Sequence, residues 1–139
     1  MRVQSLAAAL LSACVLSCFD SDVSADPSIP SVKIFVRQRT FIPETVYLKM
    51  GRPVVLVIEN GDVELHAFVP LLLLQGVNVQ VTGNGAPEFN EFGFARVLIP
   101  PKGQANIKFT PPAPGHFFYI CDLPGHQMRG EIVVTADSL

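Results

Sequence analysis

Short apolar runs separated by turn-forming residues constrain the fold of this chain more than any other feature. Residues 32–37 alternate apolar and polar side chains, as a half-buried strand does, and residues 54–58 form the continuous apolar run of a central strand. Twelve prolines and ten glycines separate such runs, with no long amphipathic helical pattern. The runs that we interpret as strands are 32–37, 45–50, 54–58, 65–69, 94–99, 105–109, 116–121 and 130–135. This pattern predicts an all-β protein, a Greek-key β-sandwich of about eight strands.

Residues 70–91 give the weakest structural prediction. The four leucines at 71–74 could open a short helix or pack as a loop over the core, and Gly83-Asn84-Gly85 indicates a turn. We interpret the leucine run as core rather than as a docking patch, although a partner surface here stays open.

The composition narrows the classes of function. The 139 residues suit one domain, and an apolar fraction of 49% is enough to form a core without stabilising cross-links. Only 16% of the residues are charged, and the formal net charge of −2 comes with neither a basic stripe nor an acidic tail. We therefore expect a monomer that does not bind nucleic acid.

The N-terminal part has the pattern of a secretory signal peptide. Arg2 gives a positive start, an apolar stretch continues to Phe19, and small residues at 23–25 suit a cleavage site. We predict a signal peptide at 1–25, a short mobile leader at 26–31 and one folded domain at 32–139, in a secreted or periplasmic protein.

The cysteines leave a second route of export open. Cys14 and Cys18 each end a segment that resembles a lipoprotein signal, so a lipid anchor at either one is the alternative. If the chain is cleaved after Ala25, Cys121 is the one cysteine that remains. An unpaired thiol in an oxidising compartment requires an explanation, and metal ligation is the leading one.

Residues 114–134 carry the chemistry. A strand ends at Cys121, a short Pro-Gly loop leads to His126 and Met128, and another strand follows. Two imidazoles, a thiolate and a weak axial thioether are the donors of a trigonal copper site. The second imidazole must come from elsewhere, and His66 at a distant strand end is the candidate. Each of the four has an ordinary structural alternative: a buried thiol, a loop histidine, a strand-end histidine and a core methionine.

Other residues near this pattern are assigned supporting roles. His116 lies five positions before Cys121, so strand alternation puts it on the opposite face and we interpret it as structural. Phe117 and Tyr119 share the parity of Cys121 and are expected to pack beneath it. Asn60 is a candidate for bracing the two ligand segments by hydrogen bonds.

These segments resemble the cupredoxin family, which includes plastocyanin-, azurin- and auracyanin-like type 1 blue copper proteins. Residues 41–51, 60–68 and 114–134 carry the resemblance, which covers about 41–134. It implies a cupredoxin-like Greek-key β-sandwich that holds one copper ion. His66, Cys121 and His126 would be the equatorial ligands and Met128 the axial one.

The sequence departs from the family pattern at the axial position. Only Gln127 separates His126 from Met128, where family members usually have a longer spacer. A three-coordinate site or another axial donor therefore stays open. The segment 66–70 is also similar to the first-histidine segment of a binuclear copper domain, but that centre needs a second cysteine in the ligand loop and none is present.

The function that the resemblance implies is electron transfer. We expect an exported protein, not an enzyme, that alternates between Cu(I) and Cu(II) and exchanges electrons with a redox protein of cytochrome or oxidase type. The ring of His126 is expected to emerge through an apolar loop surface as the exit for the electron. The alternatives are a periplasmic copper chaperone or scavenger, for which His126 and Met128 would trap Cu(I), and a metal-free binding module.

Overall fold

Residues 29–136 are described by a computed structural model, and within them every regular element is a β-strand. The strands are β1 (Ser31–Arg37), β2 (Thr40–Ile42), β3 (Thr45–Lys49), β4 (Val54–Asn60), β5 (His66–Pro70), β6 (Gln80–Gly83), β7 (Ala86–Asn90), β8 (Gly93–Ile99), β9 (Gln104–Phe109), β10 (Gly115–Ile120) and β11 (Arg129–Thr135). The prediction of an all-β sandwich is confirmed.

The strands form two mixed sheets. One has the order β2-β1-β4-β9-β6 and the other the order β3-β11-β10-β5-β8-β7. Two pairs, β1 with β4 and β11 with β3, are parallel, and the other pairs are antiparallel. Parallel neighbours need a crossover from one sheet to the other, so the chain alternates between the layers and closes a shared core.

Alternation within the strands builds the core between the sheets. On β1, Ile34 and Val36 are buried while their neighbours are exposed, which is the period-two pattern of a half-buried strand. On β4, the central strand between β1 and β9, five of the seven residues are buried and the other two are partly covered. Each large apolar side chain that is fully buried contributes about 1.5–3 kcal/mol relative to exposure.

The structure has three strands more than the eight that the sequence predicts. The additional strands are β2, β6 and β7. All five residues of β7 are exposed, and β6 has one partly covered residue among four. β6 and β7 are edge strands without a buried residue, so they have no hydrophobic period that a sequence pattern could reveal.

The leucine run forms a turn and divides between core and surface. Leu73 and Leu74 are buried in the core, whereas Leu71 and Leu72 are exposed. The segment is not helical, so the loop alternative is correct.

Tyr119 on β10 packs directly against Gly130 on β11. The two residues are paired in register, and a Cβ atom added at Gly130 would overlap the Tyr119 ring. The Tyr119 hydroxyl donates a hydrogen bond to the carbonyl oxygen of Glu44 at 3.1 Å. Burial raises the pKa of Tyr119 far above its usual value. This packing fixes the end of β10, two residues before Cys121.

Several predictions concern residues outside the described part of the chain. The signal peptide, residues 26–28 of the leader, and the lipid-anchor candidates Cys14 and Cys18 all precede Ile29, where the described residues begin. From there to residue 136, none of the structure is a helix long and apolar enough to cross a membrane.

Candidate metal centre

Two sequence segments bring three donor side chains together at one end of the sandwich. His66 begins β5, Cys121 directly follows β10, and His126 lies in the loop before β11. One donor atom from each side chain lies within 4.8 Å of the others. Cys121 Sγ is 3.3 Å from His126 Nδ1, and the centroids of the two imidazole rings are 4.8 Å apart. The three residues that the sequence nominates as equatorial ligands therefore converge.

Strand pairing explains the convergence. β5 and β10 are antiparallel neighbours, with Ile120 opposite Val69, so the chain that leaves β10 at Cys121 continues toward the beginning of β5. The backbone N–H of Ala67 donates a hydrogen bond to Cys121 Sγ at 3.3 Å across this junction. The thiol is therefore held against the strand that carries His66, and Cys121 is the one free cysteine among residues 29–136.

The ligand loop is closed by its own backbone. The N–H of Cys121 donates to the carbonyl oxygen of Met128 at 3.2 Å, and the N–H of His126 donates to that of Leu123 at 3.0 Å. Met128 thus lies opposite Cys121 across the loop, and each of these two residues is only 3% exposed. The short spacer after His126 leaves Met128 buried beside the cluster, and its role as a ligand stays a prediction.

His66 supplies the observation that tests whether a metal fits. Its side chain is 0% exposed, and Nε2 lies 2.9 Å from Asp62 Oδ2. A carboxylate only accepts hydrogen bonds, so the proton is assigned to Nε2 and Nδ1 keeps a free lone pair. Nδ1 is buried and has no hydrogen-bond partner among the described residues. Such a group is costly to bury unless something binds it, and a soft divalent or monovalent metal between two imidazoles and a thiol would do so.

Three charged residues border the histidines, and sequence reasoning gave them no role. Arg39 donates two hydrogen bonds to Glu64, from Nε to Oε1 at 2.6 Å and from Nη2 to Oε2 at 2.7 Å. The same Glu64 oxygens lie 3.7 Å from His66 Nε2 and 3.8 Å from His126 Nε2. Asp62 and Glu64 precede His66 by four and two positions, a spacing too common to have indicated a role.

Hydrogen-bond donors lower the pKa of both carboxylates. Partial burial raises the pKa of Asp62, but the backbone N–H groups of Arg39 and Gln38 and the ring of His66 together lower it below its usual value. For Glu64 the hydrogen bonds of Arg39 dominate, and the pKa is again lowered. Two negative charges and one positive charge therefore lie at the Nε2 side of the histidines.

The surroundings of His126 differ from the expected apolar exit. Its side chain is 8% exposed, and the Glu64 carboxylate lies near its Nε2. The expectation that the ring emerges through an apolar surface is wrong in this respect, because a carboxylate held by Arg39 borders the ring.

The residues with predicted supporting roles divide. His116 lies on the outer face, 68% exposed, with Nδ1 2.7 Å from Glu131 Oε1. Tyr119 is buried beneath the site as expected. Asn60 donates to the carbonyl oxygens of Glu64, Ile99 and Pro100 at 2.8–3.0 Å. Asn60 thus joins the segment before His66 to the end of β8. It forms no hydrogen bond with the loop of Cys121 and His126 among the described residues, since Asn60 ends β4 in the other sheet.

The fold and these donors define a class. A two-sheet β-sandwich that gathers two imidazoles, a thiol and a buried methionine fits a type 1 copper site. The chain belongs to the cupredoxin-like domain family, whose model matches residues 7–134. The predicted family is confirmed.

Several solved structures have a similar fold. Auracyanin A, a "blue" copper protein from the green thermophilic photosynthetic bacterium Chloroflexus aurantiacus, is 20% identical with a TM-score of 0.56, over 76% of this chain and 99% of its own. Dithionite-reduced auracyanin from Roseiflexus castenholzii is 18% identical with a TM-score of 0.56, over 78% of this chain and 98% of its own. Amicyanin from Paracoccus versutus is 22% identical with a TM-score of 0.51, over 82% of this chain and 86% of its own. At these identities the similarity shows the fold alone.

A curated plant protein is also similar. Laccase-7 of Oryza sativa subsp. japonica is 28% identical over 115 residues, which are 81% of this chain. The chain spans only 20% of the length of that laccase.

Proposed function

We propose that this chain is an exported mononuclear type 1 copper protein that carries single electrons. His66, Cys121 and His126 would be the equatorial ligands and Met128 the axial one. The observation that supports this most is His66 Nδ1, which is buried without a partner within reach of a thiol and a second imidazole. When bound, copper would supply the one-electron couple between Cu(I) and Cu(II).

The protein side of this function is rigidity and exclusion of water. His66, Cys121 and Met128 are almost completely buried, and each is anchored by a strand end or a backbone hydrogen bond. Donors that are already assembled suit both oxidation states, so little rearrangement accompanies the redox step. We propose that a redox protein, of cytochrome or oxidase type, approaches the edge of His126.

We propose a carrier and not an enzyme. The chain has three histidines, of which His66 and His126 lie in the cluster and His116 pairs with Glu131 on the outer face. No further imidazole is therefore left for a second, histidine-rich metal centre in this chain. The similarity to laccase-7 covers one fifth of that protein, so its activity is not carried over.

An optical and EPR titration with Cu(II) tests the proposal. We expect an intense visible thiolate-to-copper band that saturates at about one copper per chain, with narrow hyperfine splitting. Cys121→Ala abolishes the band, because the charge-transfer donor is removed, while His116→Ala leaves it unchanged. Absorption that survives Cys121→Ala would sink the assignment of the site.

Copper trafficking is the second candidate, and the short spacing between His126 and Met128 favours it. An imidazole and a thioether so close in sequence suit a soft Cu(I) trap. Competition with a Cu(I) chelator separates the two functions: a carrier retains copper in both oxidation states, whereas a chaperone binds Cu(I) with strong preference or releases it.

A further inference from the structure

Among residues 29–136, Asp62 forms the one direct hydrogen bond to the His66 ring. Its Oδ2 lies 2.9 Å from Nε2, and the side chain of Asp62 is only 15% exposed. A histidine that ligates a metal through one ring nitrogen needs its other nitrogen protonated and held, since the hydrogen bond selects both the tautomer and the ring orientation. Asp62 is in position to do both.

The Asp62 carboxylate is itself immobilised from the opposite side. Its Oδ1 accepts a hydrogen bond from the backbone N–H of Gln38 at 2.8 Å, and Oδ2 accepts one from that of Arg39 at 3.0 Å. The backbone N–H of Asp62 donates to Asn60 Oδ1 at 2.9 Å. Rotation of the carboxylate would break bonds on both sides, so its orientation toward His66 is fixed.

The charges of Asp62 and Glu64 are compensated differently. The hydrogen bonds of the Arg39 guanidinium go to Glu64, whereas the donors to Asp62 are neutral backbone amides and the His66 ring. The ammonium group of nearby Lys102 bonds the carbonyl oxygen of Gly61. Asp62 therefore contributes a formal negative charge that no hydrogen-bonded cation of this network neutralises, in direct contact with the imidazole.

We propose that Asp62 is the positioning residue of His66 and that its charge biases the bound copper toward Cu(II). The inference rests on the proposed function. A negative charge transmitted through the imidazole stabilises the ion with the higher charge, so the carboxylate strengthens the binding of Cu(II) more than that of Cu(I). The consequence is a lower reduction potential than that of the same donors without Asp62.

The test compares Asp62→Asn with a matched control. Asparagine keeps an acceptor for His66 Nε2 and loses the charge, at the expense of the hydrogen bond from Gln38. Glu131→Gln removes the same kind of carboxylate from His116, where the carboxylate–imidazole contact is 2.7 Å but lies outside the site. The copper-loaded full chain and both variants are compared by visible absorption and by redox titration.

We expect Asp62→Asn to keep the visible band and to change the ratio of Cu(I) to Cu(II) affinity about tenfold in favour of Cu(I), equivalent to about 59 mV for one electron. Glu131→Gln leaves the ratio unchanged. A ratio for Asp62→Asn within about twofold of the wild type overturns the proposal. An equal shift in Glu131→Gln overturns it too, because the effect would then be a general one of net charge.

A measurement on the metal-free wild type tests the positioning role without any variant. Nitrogen-15 NMR at a pH near 8, where histidine is ordinarily neutral, locates the imidazole proton. We expect it on Nε2 of His66, and a proton on Nδ1 overturns the role of Asp62. If the wild type takes up copper without the thiolate band, the proposed function fails while this measurement still decides the positioning role.

Discussion

Two histidines of this chain form nearly the same contact with a carboxylate, in opposite surroundings. His66 and Asp62 approach to 2.9 Å with the ring fully buried, whereas His116 and Glu131 approach to 2.7 Å with the ring 68% exposed. Water can replace the partner of His116 at little cost, but nothing can replace that of His66. The comparison teaches that burial, and not contact distance, decides what a carboxylate–imidazole pair contributes.

The largest effect is expected from a substitution that disrupts the pairing of β10 with β11, next to the donor cluster and to the His116–Glu131 pair. Cys121 directly follows β10 and Met128 directly precedes β11, and the two strands carry the His116–Glu131 pair. In Gly130→Ala the new methyl group overlaps the rigid Tyr119 ring, so we expect a loss of about 3 kcal/mol in the free energy of unfolding, measured by urea denaturation. In a Tyr119→Ala background the same change has room and costs much less. Equal costs in both backgrounds would contradict the steric explanation.

Copper binding by variants that lack one imidazole or the other sharpens the comparison of His66 with His116. His66→Ala deletes a proposed ligand, and we expect the Cu(II) affinity to fall by roughly 100-fold or more, with loss of the type 1 spectrum. His116→Ala is the matched control and should leave both unchanged. Competition with a chelator of known affinity measures the effect. A drop of similar size in His116→Ala would place that residue in the site.

Removal of each carboxylate sharpens the comparison in the metal-free protein. Asp62→Ala leaves the buried Nε2–H of His66 and two backbone N–H groups without an acceptor, and we expect a loss of about 2 kcal/mol in the free energy of unfolding. Glu131→Ala breaks an exposed pair and should cost no more than about 0.5 kcal/mol. Urea denaturation of the apoproteins measures both. Equal losses would mean that burial does not separate the two pairs.

The sequence predicts the cluster of donor side chains because they form a chemical pattern. Cys121, His126 and Met128 are close in sequence between two strand-like runs, and few structures other than a metal site need those side chains there. His66 was found from the family resemblance and from its position at the start of a strand. The structure brings the two histidines and the cysteine within 4.8 Å, as that pattern required.

The network around Asp62 could not be predicted, because its chain reversal has no signal in the sequence. β1 and β2 are joined by Gln38 and Arg39, both with positive φ (51° and 54°), in a two-residue hairpin turn that asparagine or glycine ordinarily occupies. Two hydrogen bonds to the Asp62 carboxylate hold these residues in the left-handed region. Tertiary contacts with Asp62, which is 24 positions from Gln38 and 23 from Arg39, thus replace the local turn signal. Without that signal the sequence pattern does not predict β2.

The hydrogen bond from Ala67 to Cys121 joins residues that are 54 positions apart along the chain. An ordered donor set therefore cannot exist in the extended polypeptide, because the loop between the two segments must first be closed by the pairing of β5 with β10. The apolar core that drives this closure is built mainly of aliphatic and aromatic side chains of the strands, which do not bind metals. We therefore expect folding to precede metal uptake, unlike in small zinc modules where the ion organises the chain, so that copper would enter a scaffold that is already complete.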